Sequence, residues 1–445
     1  ATAPDVLDAA GSVLGVTTSP PYADLHIQGS PTGGHTLRLD GVPVRNPASA
    51  GRLLGAFSPL ALEGLTARKA GFGALRGNAL SGTLELTHDL STPGGQYGTV
   101  RADSRSLDAR MQGTTTLGST PVSAMVAGRV SVWDVYQDVG LHALIDRWST
   151  LDPMLAAAQV PSDTSLAGGS LGARTQPSAG FYDLHGALRF DLGPAEHLDL
   201  SAYHGRSTLG ADLVLGQPIG TGLSGGDDED REPSLESSPF KLPTRDEYDW
   251  SNTVAQARYE APLSARTTGT LQAGVSHYQS TTRSEVGEIQ FTSAAAPSFR
   301  TGTAAARRAA YGQEGANRVT EVFLDGQLDW ALAPRWGLVW SGGLTHQWSR
   351  VRIGNAFAPQ LRATPRTSRL TTAAELTIGL GEYAQVDGGL RLTTRPAQGP
   401  VYAEPRGALR YTRPVDGLGT VGLSVRGGLY RQFTAQFDLT RDGAT

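Results

Sequence analysis

The sequence predicts a mostly β protein, with a compact N-terminal α+β domain over residues 1–93 and a large antiparallel sheet over residues 94–445 that closes as a membrane-spanning barrel. Three observations predict it. Long segments alternate apolar and polar residues, short turns alternate with long polar loops, and the texture changes from mixed to alternating near residue 95. Successive side chains of a strand point to opposite faces, so sustained alternation gives a sheet with one apolar face and one polar face.

The elements follow in order. Residues 7–16, LDAAGSVLGV, form a short helix and a turn, and ADLHIQGS (23–30) alternates as a strand ending in Gly. HTLRLDGVPVRNP (35–47) is a β-hairpin, because Asp40-Gly41 between Leu39 and Val42 suits a type I′ turn with positive φ at both central residues. LLGAFSPLALEGLTARKAGF (53–72) has a helix-like start and then a strand. GALRGNALSGTLELTHDL (73–90) is a Gly-punctuated turn feeding the strand TLELT, and STPGG (91–95) is a linker.

From Gln96 on, alternation dominates. Val122, Ala124, Val126, Gly128, Val130 and Val132 share one face, and Ser123, Arg129 and Ser131 the other. Leu370, Thr372, Ala374, Leu376, Ile378 and Leu380 oppose Arg369, Thr371 and Glu375; Val421, Leu423, Val425 and Leu429 oppose Ser424, Arg426 and Gln432. Roughly thirteen such segments can be counted, many longer than globular strands usually are. Connections are tight at 191–197, 332–337 and 379–385 but long and polar at 134–180, 215–247, 285–317 and 355–367. Short turns at one end and long loops at the other mark a transmembrane barrel. Trp133, Trp250, Trp330, Trp336 and Trp348 fall near strand ends, as interface girdles would, with Trp340 a mid-strand exception.

Composition excludes several classes. Of the 445 residues 18% are charged and 39% hydrophobic, and the apolar ones are spread thinly rather than gathered for a shared soluble core. No Cys is present, which removes disulfides and thiolate metal sites. The formal net charge of −4 lacks the basic excess of a nucleic-acid binder. No run nears the roughly 18 apolar residues of a membrane helix, so a closed barrel is the spanning structure that remains. The first residues, ATAPDVLDAAGS, carry neither the basic nor the apolar region of a secretion signal.

Candidate chemistry is sparse. His185, His204, His277 and His346 lie within alternating strands, without metal-site spacing, and are expected at polar lumen-facing or interface positions. Asp227, Asp228, Glu229 and Asp230 offer carboxylates to a loop-bound calcium ion, although a calcium-loop spacing is missing and a solvated loop is the plainer reading. GFGALRGNALSG (71–82) has no GK[ST] and is no phosphate loop. No catalytic triad or carboxylate pair emerges from spacing, so no enzyme activity is expected. Tyr136, Trp148, Tyr182 and Trp250 lie in or beside the long loops and are the candidates to stack on a substrate.

DLHIQGSPTGGHTLRLDGVPVRNP (24–47) resembles the plug domain of TonB-dependent outer-membrane receptors, in which a strand ends in Arg-Gly and a second reaches Asp-Gly-x-Pro. Gly29, Asp40, Gly41 and Pro43 match, with Gln28 where Arg is usual. Residues 60–87 are similar to the segment that closes the plug: Gly71, Gly77 and Gly82 fit, while Leu75 and Arg76 depart from the Leu-Tyr-Gly form. DVLDAAGSVLGV (5–16) looks like the helix and turn before the first plug strand, with Ala-Gly replacing Pro-Gly.

The resemblance implies a plug inside an outer-membrane barrel of about 22 strands. It further implies active import of a scarce or bulky nutrient, such as a siderophore, haem, cobalamin, an oligosaccharide or a peptide. The implied partners are outer-membrane lipid, the TonB-ExbB-ExbD complex that pulls on the plug, and a surface substrate-binding lipoprotein. Nothing before Asp5 matches the family's energy-coupling box, and the strand count is short, so a fragment lacking both ends is expected. The alternative is a non-transporting outer-membrane binding or structural protein of the same ancestry, part of a surface assembly. A secreted soluble β-protein or glycan-active enzyme conflicts with so many apolar-faced strands.

Overall fold

The computed structural model describes residues 6–18, 25–30, 33–49, 54–69, 71–91, 95–103, 106–132, 172–216, 240–286, 290–291, 313–355, 361–397, 399–415 and 419–433. The N-terminal unit consists of α1 (Val6–Gly11), β1 (Val16–Thr18), β2 (Leu25–Ile27), β3 (His35–Leu39), β4 (Val42–Pro43), β5 (Ala48–Ser49), β6 (Leu54–Gly55), a 3-10 turn (Pro59–Ala61), β7 (Leu62–Lys69) and β8 (Gly82–His88). Its sheet has the order β4-β3-β8-β7. The turn between β3 and β4 has φ of 46° at Asp40 and 84° at Gly41, as a type I′ hairpin demands. The hairpin is short, however. Only Arg38 with Pro43 and Leu39 with Val42 pair across it, and β3 runs its full length parallel to β8, a partner more than forty residues away.

The helix-like start expected in 53–72 is instead β6 and one 3-10 turn, after which Leu62 is extended at φ −111°, ψ 136°. Pro59 suits the first turn of a helix, but the segment beyond it is drawn into pairing with β8, which satisfies its backbone along a ladder. The core of the unit is apolar and buried, and Tyr203, Val254 and Phe323 of the wall that follows join it. Ile27, Leu37, Leu39, Val42, Val44, Phe57, Leu84 and Leu86 are all 0% exposed, and each contributes about 1.5–3 kcal/mol by burial.

The wall follows: β9 (Gln96–Ala102), β10 (Ser106–Leu117), β11 (Thr120–Ser131), β12 (Gly172–Gly193), β13 (Glu196–Gly216), β14 (Phe240–Ser264), β15 (Thr267–Val286), β16 (Gln290–Phe291), β17 (Gln313–Ala333), β18 (Trp336–Asn355), β19 (Leu361–Ala363), β20 (Arg366–Leu380), β21 (Ala384–Thr394), β22 (Tyr402–Val415) and β23 (Gly419–Gly428). They form one 15-stranded antiparallel sheet in which β16 and β19 sit off a single path from β9 to β23. Parts of the expected loops 134–180, 215–247 and 285–317 are strand instead. Gly172 pairs with Gly216 and Gly216 with Lys241, so neighbouring ladders extend one another where composition alone shows a loop.

The faces are inverted relative to a soluble sheet. Leu184, Leu188, Leu271, Leu324, Leu344, Leu370, Leu390, Leu409 and Leu423 lie outward at 37% to 64% exposure, while Asp183, His185, Glu321, Asp387 and Glu404 are buried on the inner face against the plug or their neighbours. An apolar exterior and polar lumen is the pattern of a barrel wall in lipid. Trp336 and Trp348 face outward at opposite ends of the apolar stretch of β18, a spacing that matches a hydrocarbon band of about 25 Å.

Candidate functional site

Among the described residues, the contacts that fasten the plug to the lumen wall include three clusters. The first begins at the hairpin turn. Asp40 Oδ1 accepts from the His88 backbone N–H at 3.0 Å, and its Oδ2 lies 2.5 Å from both His88 Nδ1 and the donating Ser201 hydroxyl. Gln272 Nε2 donates to the Asp40 carbonyl at 2.6 Å. His88 Nε2 and His185 Nδ1 are 2.9 Å apart, His185 Nε2 stands 3.4 Å from Asp183 Oδ1, and Arg129 Nε donates to Asp183 Oδ2 at 2.7 Å. The chain of groups closes back on the plug, because Arg129 donates to the Gly55 carbonyl at 2.7 Å and the Ser58 N–H donates to Asp183 at 3.2 Å. Tyr203 donates to the neighbouring Ala56 carbonyl at 2.6 Å. The tight turn is what allows this. Gly41 has no side chain to keep Gln272 away, and a Cβ there would meet its Nε2 at 2.8 Å.

Burial by itself would raise the Asp40 carboxyl, but the hydrogen bond and charge of His88, with the Ser201 hydroxyl, outweigh it and hold the group below the usual carboxylate range. A depressed folded-state value means stabilisation that is complete above the unfolded value, near 3.9, and lost as pH falls through the folded value beneath it. Urea unfolding of the plug at a series of acidic pH values should therefore show a loss in the wild type that Asp40→Asn does not share. Identical pH slopes in the two proteins would remove Asp40 from this role.

The second place lies further toward the long-loop end. Arg45 donates to Glu321 Oε2 and Gln347 Oε1, each at 3.1 Å, and the Arg45–Glu321 side chains are 7% exposed. Asn46 Nδ2 reaches the Tyr248 hydroxyl at 3.2 Å and the Tyr278 hydroxyl at 3.5 Å. Trp250 stacks on Tyr248 with centroids 4.5 Å apart and donates Nε1–H to the Ala48 carbonyl at 2.9 Å. This short stretch of plug, residues 45–48, is thus gripped by rings and one ion pair.

The third is the loop between β7 and β8. Glu375 Oε2 accepts from the Ala74 N–H at 2.7 Å, and Arg406 donates to the Gly73 and Arg76 carbonyls at 2.6 and 2.5 Å. Arg391 reaches the Ala74 and Leu75 carbonyls at 3.5 and 3.4 Å. A Cβ at Gly73 would collide with Glu375 and one at Gly77 with Arg391, so glycine admits the wall side chains here.

The sequence-derived candidates are distributed as follows. Gly29 ends the turn after β2 at φ 72°, Pro43 lies in β4 opposite Arg38, Gly71 stands beside Arg426 at φ 88°, and Gly82 opens β8 opposite His35. Tyr182 faces outward in mid-strand, its hydroxyl 3.4 Å from His204 Nε2. Trp250 is inside the lumen at 2% exposure, not beside a loop. Tyr136, Trp148, Asp227, Asp228, Glu229 and Asp230 lie outside the described residues. Among the described residues, no group of three or more His, Asp or Glu could hold a metal ion. Of the four strand histidines, His185 faces the lumen, and His204, His277 and His346 face outward, each bonded to a cross-strand hydroxyl. His88, Arg45, Asn46, Gln272, Arg391 and Arg406 were not singled out from sequence. Strand parity marks the wall residues among them as inward-facing, but no local signal names their plug partners.

No family model and no curated protein matches the sequence. Solved structures match in fold. The ferric enterobactin receptor PfeA of Pseudomonas aeruginosa aligns with a TM-score of 0.55 at 13% identity over 95% of this chain and 59% of its own. The siderophore receptor PirA of Acinetobacter baumannii gives 0.56 at 12% over 95% and 58%, and the copper transporter OprC gives 0.55 at 13% over 96% and 62%. These are TonB-dependent outer-membrane receptors, and the chain spans about three fifths of their length.

Proposed function

We propose, for a chain with the plug-and-barrel fold of the TonB-dependent receptors, that it carries the plug and part of the wall of an active outer-membrane importer. The cargo is a scarce or bulky nutrient. A metal or metal chelate is the class that PfeA, PirA and OprC favour, since their names describe receptors or transporters of such cargo. The long loops face the cell exterior, the plug blocks the lumen beneath them, and a TonB-ExbB-ExbD complex on the other side supplies the force.

One observation carries this reading: among the described residues the plug's buried core is built mainly of its own side chains, with Tyr203, Val254 and Phe323 joining it from the wall, and the rest of the grip described above is hydrogen bonds and ion pairs. Water can replace the polar contacts, so a pull that opens the interface parts the plug from those three wall side chains and leaves most of its own core together. Cells relying on the full protein should accumulate a labelled ferric siderophore or copper, and an uncoupler of the proton-motive force should abolish it. Accumulation that ignores the uncoupler would sink the importer and leave a static surface-binding protein.

A further inference from the structure

A cavity of about 190 Å³ lies between the plug and the wall, bordered by Gly41 of the hairpin turn. It is lined by four arginines, Arg38 and Arg76 of the plug and Arg258 and Arg391 of the wall, and by a single carboxylate, Asp325. Two of the arginines are already paired. Arg76 Nε stands 2.6 Å from Glu85 Oε1, and Arg258 Nη2 stands 2.6 Å from Glu260 Oε2. Arg38 and Arg391 have no carboxylate within ion-pair distance among the described residues. Arg38 donates to the Gly41 carbonyl at 3.0 Å, and its Nε is shut off from solvent without a hydrogen-bond partner. Arg391 reaches the Ala74 and Leu75 carbonyls at 3.5 and 3.4 Å, which is long for a charged hydrogen bond. Two further wall carboxylates are engaged elsewhere: Glu404, opposite Arg391 in the ladder, is held by Arg406 at 2.6 Å, and Glu375 accepts from the Ala74 N–H.

Asp325 is as isolated as the two cations. Among the described residues its carboxylate makes no hydrogen bond or ion pair, and the Ser341 hydroxyl in the same cavity makes no hydrogen bond. Gly343, across the ladder from Asp325, leaves the carboxylate its room, because a Cβ there would overlap it. Buried charges persist only with partners. Two guanidiniums, a hydroxyl and one carboxylate left open in one cavity describe an anion that has several acceptor oxygens and one donor.

We propose that this cavity binds hydrogen phosphate, with Arg38, Arg391 and Ser341 donating to its oxygens and Asp325 accepting a hydrogen bond from its P–OH. Guanidinium forks match the oxygens of such an ion. The lone carboxylate selects it. Near neutral pH hydrogen phosphate keeps a proton to donate, whereas sulfate has none and would set an acceptor against Asp325. The Arg258 side chain, 45% exposed, gives the ion a way in from the short-turn end. Binding here requires neither cargo nor movement of the plug.

Equilibrium dialysis of the full protein in a non-ionic detergent against radiolabelled phosphate, at neutral pH and matched ionic strength, reads this site directly. One saturable phosphate per chain is expected, and sulfate should not displace it. Arg391→Gln should weaken phosphate binding by on the order of tenfold or more, the loss of a charged hydrogen bond. Asp325→Asn should admit sulfate, a gain that damage to the fold would not produce. Arg206→Gln, on the outer face where Arg206 pairs with Asp249, should bind phosphate as the wild type does. Absence of saturable phosphate binding would overturn the proposal, as would sulfate competing equally in the wild type or an Asp325→Asn variant that still rejects sulfate.

Discussion

Replacing Arg129 by Ala is expected to loosen the plug by about 3–5 kcal/mol, because it leaves Asp183 charged and buried without its cation. The Arg129 and Asp183 side chains are 3% and 1% exposed, and Arg129 also lies over the Phe181 ring at 4.9 Å and holds the Gly55 carbonyl. In urea, protease cleavage within residues 54–91 should begin at a lower concentration in the variant, while the strand ladders of the wall persist. Asp183→Asn should fall in the same range, since it leaves the guanidinium without its anion. Arg129→Leu combined with Asp183→Leu should recover most of the loss, because a buried pair replaced by apolar groups is often close to neutral. A single variant whose plug opens at the wild-type urea concentration would show that the ion pair does not hold it.

Trp250→Ala should produce the other large effect, roughly 3–5 kcal/mol, by opening a cavity beneath the apical stretch of the plug. It removes the ring stacked on Tyr248 and the N–H that satisfies the Ala48 carbonyl. Trp250→Phe keeps most of the volume and forfeits mainly that hydrogen bond, worth about 1 kcal/mol. The two variants should separate in the urea midpoint of the plug and in leakage of a small sugar from liposomes carrying the protein, with Ala leaking more than Phe. Equal midpoints for Ala, Phe and the wild type would mean that residues 45–48 are held by Arg45 and Asn46 without help from the ring.

Both effects lie at contacts between sequence-distant segments, and that is where the reading of the sequence runs out. The outward faces of the wall were legible, because a period of two is a property of each strand alone. Leu370 and Leu380 lie outward and Glu375 inward, as alternation requires. The type I′ turn at Asp40-Gly41 was legible for the same local reason. By contrast, Trp250 alternates like any strand residue, and its height along β14 depends on how far β13 and β15 extend their ladders beside it. Strand ends were placed too early for that reason, which put Trp250 near a loop instead of deep in the lumen.

Asp40 shows the division most clearly. Its place in the turn follows from the residue after it, since Gly accepts positive φ without penalty and Asp tolerates it. Its carboxylate, however, is held by His88, forty-eight residues further on, and by Ser201 on the wall. No periodicity in the chain relates those three positions. The sequence by itself determined which strand positions face outward and which face the lumen, because these depend on local periodicity and solvent. The tertiary structure decided which inward polar groups meet, because closing the plug inside the wall sets their partners, and buried polar groups are stable only where such partners exist.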